Sequence, residues 1–273
     1  MTPWSRGVFD NGMAWSCFGN GEKVALQIPG GPGNLSPDSG WWGSLLVKPF
    51  RPLVEGGFRI VTVTRKRNMK PGHDVAAMAR DYAQLISDEF SGAVDLVIGT
   101  SFGGMISQYL AANHADTFKH IVVVVAGCRV DEVAGVYDQQ YAAALASGDV
   151  FAAGAALAQG FYPQAKFPRL TRLLVQLTLP LLVKRGDHEF FCNDLLIEAE
   201  AERSFDSRPI LPTIRKPVLV LAGDQDQYFP KPILEETRRL VPDCRLRIYE
   251  GKTHLSAFSD PRVGEDILNF ISR

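Results

Sequence analysis

The sequence predicts an α/β protein, with a mostly parallel, doubly wound sheet that is interrupted by an inserted helical cap. Three apolar, strand-like runs alternate with helical spacing in the first half of the chain, at residues 58–64, 94–98 and 121–126. No strand alternation follows until residue 217, where the α/β order resumes. We therefore expect residues 1–128 and 211–273 to form the core domain, and residues 129–210 to form the cap.

The N-terminal elements are predicted to be a hairpin, a strand and a helix. Residues 7–18 contain an Asn-Gly pair between two apolar segments, which is a strong signal for a two-residue hairpin turn. Residues 23–28 form the next strand. Residues 39–54 have amphipathic spacing, and we expect one helix there that carries Trp41 and Trp42. These tryptophans either pack into the core or cover a pocket mouth, and the second alternative makes them candidate substrate-binding residues.

Residues 94–104 carry the strongest chemical signal. An apolar strand is followed at once by Gly-Thr-Ser-Phe-Gly at residues 99–103, and then by a helical pattern. In a Gly-x-Ser-x-Gly turn between strand and helix, the glycines leave room for a strained serine backbone. Ser101 then stands at the carboxyl edge of the sheet as a nucleophile, and the Phe102 N–H faces a developing negative charge. An ordinary tight turn is the alternative.

A glycine-proline loop follows the strand at residues 23–28. Its sequence, Pro-Gly-Gly-Pro-Gly-Asn at residues 29–34, allows two interpretations. It is either a tight turn, or a loop whose N–H groups point at an oxyanion, because an anion must approach the main chain closely. Given Ser101, we favour the second interpretation and expect the Gly31 N–H to be a second oxyanion donor beside that of Phe102.

A serine nucleophile needs partners from elsewhere in the chain. A hydroxyl near pH 7 reacts poorly unless a general base, usually histidine, takes its proton and an acid orients that base. The chain offers His254 after its last predicted strand, and Asp224 or Asp226 after the strand that begins at residue 217. All of them follow the carboxyl ends of predicted strands, where open α/β sheets place their sites.

The predicted cap is helical throughout. Residues 133–157 are rich in alanine and read as two helices broken near Gly148, and residues 169–184 and 193–203 are further helices. His188 lies in an Asp-His-Glu triplet, and three successive residues do not converge easily on a metal. The four cysteines are far apart, which indicates buried free thiols. We expect no metal and no cofactor.

Composition excludes several classes of protein. Of 273 residues, 46% are hydrophobic and 22% are charged, so a large core is expected and disorder is not. The formal net charge is −1 and no basic block stands out, which argues against nucleic acid as a partner. The N-terminus lacks the apolar region of a signal peptide, and no apolar run reaches the roughly 18 residues of a membrane span. These features predict a cytoplasmic protein that acts on a small molecule.

With its motifs in this order, the chain resembles α/β-hydrolase-fold enzymes that carry a helical cap. In that family the acid of a Gly-Asp-x-Asp turn is usually the second one, which here is Asp226. Asp224 would then shape the turn. Some family members carry the acid where this chain has Asp131, which makes that residue a minor alternative.

Two loops depart from the patterns of the family. Residues 29–33 resemble the His-Gly-Gly-Pro-Gly loop of proline iminopeptidases, but Pro29 replaces the histidine. Many relatives have Asp-x-Arg-Gly-x-Gly after the strand at residues 58–64, and this chain has Thr-Arg-Lys-Arg-Asn at residues 64–68. Backbone donors do not need the histidine, so the oxyanion site is still expected.

The resemblance implies a serine hydrolase that cleaves a carboxylic ester, or a related acyl bond, through Ser101, His254 and Asp226. A small to medium apolar substrate is expected, because a cap rich in alanine and leucine would wall the pocket. A cap of this composition, or the two tryptophans, also makes a homodimer an alternative use of that surface.

Three other functions remain open. A proline iminopeptidase-like aminopeptidase would need acidic cap residues to bind a free amino terminus. Glu198, Glu200 and Glu202 are candidates, but their spacing favours a solvated helix face. The fold also hosts lyases and cofactor-free oxygenases that would use His254 as a base, and ligand receptors with a vestigial triad.

Overall fold

A computed structural model describes residues 4–31, 33, 35–37, 39–183 and 189–272, without the side chains of residues 41, 42 and 181–183. The predicted roles of Trp41, Trp42 and His188 therefore lie outside the described part of the chain.

One mixed sheet forms the centre of the protein. Its strands are β1 (Trp4–Val8), β2 (Ala14–Phe18), β3 (Lys23–Ile28), β4 (Phe58–Val63), β5 (Val94–Thr100), β6 (Phe118–Val124), β7 (Val218–Gly223) and β8 (Cys244–Tyr249). Their order in the sheet is β1-β2-β4-β3-β5-β6-β7-β8. β1 and β2 form the predicted hairpin and β2 pairs antiparallel to β4, while every later pair is parallel. The predicted mostly parallel α/β sheet is confirmed.

Helices cover both faces of this sheet. They are α1 (Gly40–Leu46), α2 (Arg51–Glu55), α3 (Val75–Glu89), α4 (Phe102–Asn113), α5 (Glu132–Ala146), α6 (Val150–Phe161), α7 (Pro168–Val183), α8 (Phe191–Arg203), α9 (Lys231–Leu240), α10 (His254–Phe258) and α11 (Val263–Ile271). One apolar core lies between the sheet and α3, α4 and α9, and a second between the sheet and α2, α10 and α11. None of the described helices is long and apolar enough to cross a bilayer.

The prediction of a single helix over residues 39–54 is wrong. The structure has α1, a short 3-10 helix (Lys48–Phe50) and then α2. The break coincides with Pro49 and Pro52, which cannot donate the backbone hydrogen bonds of a continuous helix. Both prolines lie in the first turn of the short helix that contains them, where a missing N–H is tolerated.

Helices α5 to α8 lie between β6 and β7 and have their own apolar core. The break between α5 and α6 falls where it is predicted, at Gly148. The two connections to the sheet meet at the base of this insertion, where Arg129 forms an isolated antiparallel bridge with Asp206 and Ser207 N donates to Cys128 O at 2.9 Å. The insertion thus leaves and re-enters the sheet at one place, beside the predicted limits of the cap, and its treatment as a separate domain stays a prediction.

Candidate active site

Ser101 occupies the turn between β5 and α4 in a strained backbone conformation. Its φ and ψ are 51° and −118°, a region that costs about 1–3 kcal/mol for a residue other than glycine. A Cβ at Gly99 would overlap Ser107 Oγ, and one at Gly103 would overlap the Ile28 carbonyl. Only glycine fits at both positions, so the sequence pattern and the strained turn require each other.

The structure brings Ser101, His254 and Asp226 together. His254 Nε2 lies 3.0 Å from Ser101 Oγ, and His254 Nδ1 lies 2.8 Å from Asp226 Oδ2. The other carboxylate oxygen of Asp226 accepts hydrogen bonds from the N–H groups of Tyr228 and Phe229 at 2.9 and 3.1 Å. With its Nδ1–H donated to the carboxylate, the imidazole presents Nε2 as an acceptor for the hydroxyl proton.

Contacts between two loops fix the relative position of the acid and the histidine. Gln225 N donates to Lys252 O at 3.0 Å, and Lys252 N donates to Asp224 Oδ1 at 3.2 Å. Asp224 therefore shapes the turn, as the resemblance implies. The Asp131 carboxylate does not bond to His254; it accepts from Val133 N and Ala134 N at the start of α5.

Phe102 and Gly31, the two expected oxyanion donors, belong to two segments that approach each other at the nucleophile. Phe102 is the first residue of α4, so its N–H is among those that have no acceptor within the helix. Gly31 lines the same cavity as Ser101. Gly30 approaches the nucleophile closely, because a Cβ there would be 3.3 Å from Ser101 Cβ. No hydrogen bond in the described part of the chain uses the N–H of Phe102 or of Gly31.

A buried ion pair holds the glycine-proline loop. Arg65 Nε donates to Glu198 Oε1 at 2.8 Å, and the exposed fractions of the two side chains are 1% and 0%. Arg65 also donates to the carbonyl oxygens of Pro29, Gly30 and Gly33, at 2.8, 3.0 and 3.1 Å. The second oxygen of Glu198 accepts from Gly33 N at 2.5 Å. One pair of charges thus binds four backbone groups of the loop.

Arg65 also contacts Phe102, which follows the Ser101 turn between β5 and α4. Its guanidinium lies over the Phe102 ring, 5.3 Å from the centroid, so one side chain touches both segments that are expected to supply oxyanion donors. Burial by itself would lower the pKa of Arg65, but the adjacent Glu198 carboxylate outweighs this and raises it. The cation is therefore retained at this site despite its complete burial.

Sequence reasoning missed both members of this pair. The prediction that Glu198 and Glu202 belong to a solvated face is wrong, because both are buried, while Glu200 between them is exposed. A usable signal was present: Glu198 and Glu202 fall on one helical stripe with the apolar residues Leu195 and Ala199. Arg65 follows β4 at the carboxyl edge of the sheet, where functional groups are expected.

Comparisons with known proteins establish the family of this chain. A sequence model described as the alpha/beta hydrolase family matches residues 28–264. The chain belongs to the alpha/beta hydrolase family. It is 25% identical over 196 residues to a pimeloyl-[acyl-carrier protein] methyl ester esterase from Neisseria meningitidis serogroup B, an alignment that covers 67% of this chain and 72% of that protein.

Solved structures show the same alpha/beta hydrolase fold. The enol-lactonase from Burkholderia xenovorans LB400 superposes with a TM-score of 0.74 at 16% identity, covering 99% of this chain and 100% of the other. An esterase from Exiguobacterium antarcticum has a TM-score of 0.70 at 17% identity, with 97% of each chain covered. At these identities the likeness shows the fold alone.

A cavity of about 330 Å³ opens beside Ser101 in this alpha/beta hydrolase. That volume is in the range of small-ligand sites. Apolar residues Leu35, Leu46, Val125 and Phe258 supply much of its described wall, and Phe161 of α6 is the one residue that α5 to α8 contribute to it. The expectation that the alanine- and leucine-rich cap walls the pocket thus holds only for Phe161 among the described residues.

Two buried acids are connected to His254 through Tyr228. Asp138 of α5 and Glu202 of α8 are both buried and influence each other electrostatically, and Tyr228 OH donates to Asp138 Oδ1 at 3.0 Å. The Tyr228 ring packs against the His254 ring, with centroids 5.1 Å apart. Burial raises the pKa of Asp138 to about 6, and burial beside Asp138 raises the pKa of Glu202 well above its usual value.

The contribution of Asp138 and Glu202 to the free energy of unfolding is predicted to fall as pH rises. An acid whose pKa is raised by folding binds more protons in the folded than in the unfolded chain, so its stabilising contribution is full below pH 4 and is lost as pH rises through 6. The free energy of unfolding of a Glu202→Gln variant should therefore fall less between pH 4.5 and pH 8 than that of wild type. Urea unfolding at both pH values measures this difference, and exposed Glu200→Gln is the control. Equal losses in wild type and Glu202→Gln would contradict the assignment.

The other described histidines, and the cysteines, do not line the cavity beside Ser101. His73 pairs with Asp81 at 2.8 Å, His114 ends α4, and His120 lies in β6. Cys128 is buried, whereas Cys192 is exposed, so the prediction of buried thiols is wrong for Cys192. Within the described residues, no three His, Cys, Asp or Glu side chains are grouped to hold a metal.

Proposed function

We propose that this alpha/beta hydrolase is a serine hydrolase that cleaves a carboxylic ester through an acyl-enzyme. The observation that carries the proposal is the unbroken hydrogen-bonded chain from Ser101 Oγ through His254 to Asp226, with contacts of 3.0 and 2.8 Å. Both supporting side chains are almost fully buried, with 3% and 2% exposed, so their geometry is held by packing. A serine paired with an oriented histidine is the arrangement that nucleophilic acyl transfer requires.

The described residues of the site account for every step of the proposed reaction. His254 takes the hydroxyl proton as Ser101 attacks the ester carbonyl, and Asp226 stabilises the imidazolium that forms. The N–H groups of Phe102 and Gly31 bind the oxyanion of the tetrahedral intermediate. His254 then protonates the leaving alcohol, which gives the acyl-enzyme. The same residues activate water for the second step, which releases the acid and restores the serine.

The pairing of Glu198 with Arg65 favours ester cleavage over peptide cleavage. An aminopeptidase needs a free carboxylate to bind the amino terminus of its substrate, but Glu198 is neutralised by Arg65 and does not line the cavity. The names of the relatives, a methyl ester esterase, an enol-lactonase and an esterase, support the same choice. Lyase, oxygenase and receptor functions stay as alternatives that turnover would exclude.

A substrate panel tests this proposal. Purified protein should hydrolyse p-nitrophenyl esters of two- to eight-carbon acids, and it should leave prolyl p-nitroanilide intact. Both rates are measured from the absorbance of the released p-nitrophenol and p-nitroaniline at about 405 nm, with extinction coefficients corrected for pH. Cleavage of the amide with kcat/KM equal to that of the esters would favour the aminopeptidase. Absence of ester turnover by folded protein would contradict the proposed function.

A further inference from the structure

The cavity beside Ser101 has a row of polar side chains that the proposed chemistry does not use. Ser16, Thr62, Gln27 and Thr100 line it from the four neighbouring strands β2, β4, β3 and β5. Ser16 pairs in register with Thr62, and Thr62 with Gln27. Directly paired residues share a face of the sheet, so these side chains lie next to one another. We call the four residues the polar floor.

The polar floor differs from the rest of its sheet face. On each of the four strands, the residue two positions away from the polar floor lies on the same face of the sheet. These residues belong to the apolar core beneath α2 and α11; they are Phe18, Ile60, Ala25 and Ile98. A continuous apolar face would pack equally well against these helices. Placing four polar residues where the face meets the cavity therefore needs a reason other than folding.

Hydrogen-bonding capacity at the floor is incompletely used. Thr62 Oγ1 donates to Gln27 Oε1 at 2.7 Å. Elsewhere in the described part of the chain, nothing bonds to Gln27 Nε2 or Ser16 Oγ, and Thr100 Oγ1 is buried without a partner. Gln27 and Ser16 are only 5% and 2% exposed. Of these atoms only Thr100 Oγ1 is fully buried, and buried polar groups are nearly always hydrogen-bonded. Gln27 and Ser16 line the open cavity, so their unused donors are available to a ligand that enters it.

The charge of the lining restricts that ligand. No Asp, Glu, Lys or Arg is among the described residues that line the cavity. A charged group at the floor would be desolvated without a counter-ion, which is strongly unfavourable. A neutral oxygen can instead accept from the Gln27 amide and from the Ser16 hydroxyl.

We propose that the substrate carries a neutral oxygen acceptor, an ether, hydroxyl or keto oxygen, on the chain that fills this cavity and rests on the polar floor. The inference rests on the ester hydrolysis proposed above. It modifies the expectation of a small to medium apolar substrate, because an alkyl chain would leave the Gln27 and Ser16 groups without partners.

Esters that differ by one atom test this inference. p-Nitrophenyl hexanoate is compared with 3-ethoxypropanoate and 4-methoxybutanoate, in which an ether oxygen replaces one methylene, and hexyl acetate with 2-propoxyethyl acetate, which moves the oxygen to the alcohol side. Rates are divided by those of hydroxide hydrolysis to remove intrinsic reactivity. In at least one series, wild type should prefer the oxygen ester by about threefold to tenfold in kcat/KM, the size of one net hydrogen bond.

Substitutions at the floor locate the preference. In Gln27→Leu the ratio should fall to about one or below, and in Ser16→Ala, the smaller change, it should fall in the same direction. Gln84→Leu, on the exposed face of α3, is the matched control and should keep the wild-type ratio. A ratio of one in both series for wild type, or a ratio unchanged in Gln27→Leu and Ser16→Ala, would overturn the inference.

A binding measurement separates this inference from the proposed function. Calorimetric titration of Ser101→Ala with methyl hexanoate and methyl 4-methoxybutanoate measures binding without turnover, and Ser101→Ala/Gln27→Leu is the comparison. If wild type hydrolyses nothing but the Gln27 substitution still weakens the oxygen ester selectively, the proposed function fails and the polar floor stands. If esters are hydrolysed and binding of the two esters responds equally to the substitution, the polar floor fails alone.

Discussion

Replacing Ser101 or His254 with alanine is expected to lower kcat for a p-nitrophenyl ester by about 10⁶-fold, and either change alone should cost nearly as much as both. The reason is that the hydroxyl is activated only through the 3.0 Å contact between Ser101 Oγ and His254 Nε2. Without the base the hydroxyl is a poor nucleophile, and without the hydroxyl no acyl-enzyme forms. The kcat values of the two single variants and the double variant, each divided by the concentration of folded protein, measure this coupling.

A graded series makes the result specific to the triad. Asp226→Asn keeps the shape of the acid but donates a hydrogen where Nδ1 needs an acceptor, so kcat should fall by about 10⁴-fold. Ser147→Ala, at an exposed position at the end of α5, is the matched control and should retain wild-type rates. Additive losses in Ser101→Ala/His254→Ala, or a fall of less than tenfold in either single variant, would show that the pair does not act as a unit.

The second large effect is expected at Arg65. Arg65→Met should lower the free energy of unfolding by about 3–5 kcal/mol, because it leaves the Glu198 carboxylate buried and unpaired. It should also lower kcat by about 10²–10³-fold, because the carbonyl groups of Pro29, Gly30 and Gly33 lose their common donor and the loop that carries Gly31 is released. Urea unfolding and ester kinetics are measured on the same preparations.

A double variant distinguishes a positioning role from a merely structural one. Arg65→Met/Glu198→Leu removes both charges, so most of the lost stability should return, while kcat should stay low because the loop still lacks its donor. Arg203→Met breaks the exposed pair with Glu200 and should leave stability and kcat close to wild type. Recovery of kcat together with stability in the double variant would show that Arg65 acts only through the fold.

The three residues that the structure brings together at the candidate site could be predicted because their positions follow from local sequence patterns. Ser101, Asp226 and His254 each follow the carboxyl end of a strand, and parallel strands bring such positions to one edge of the sheet. The residues of the Ser101 turn are also coupled locally, since the strained conformation of Ser101 occurs where only glycine fits at residues 99 and 103. These requirements act over a few residues, so they are legible in one sequence.

The support of the site could not be predicted in the same way. Arg65 and Glu198 are 133 residues apart in the chain, and no local pattern pairs them. Both belong to residue types that are mostly exposed, so the default expectation for each was a solvated surface. The polar floor presents the same difficulty, because Ser16, Thr62 and Gln27 become neighbours only through the order of the strands.

Labelling with a fluorophosphonate probe is the most direct test of the central claim, because the probe phosphonylates a serine only where a base and an oxyanion site activate it. The reaction is followed by intact-protein mass spectrometry on wild type and Ser101→Ala, with folding of both checked by circular dichroism. We expect one adduct per wild-type chain, located on the peptide that contains Ser101, and none on the variant. Folded wild type that stays unlabelled, or equal labelling of Ser101→Ala, would contradict an activated Ser101.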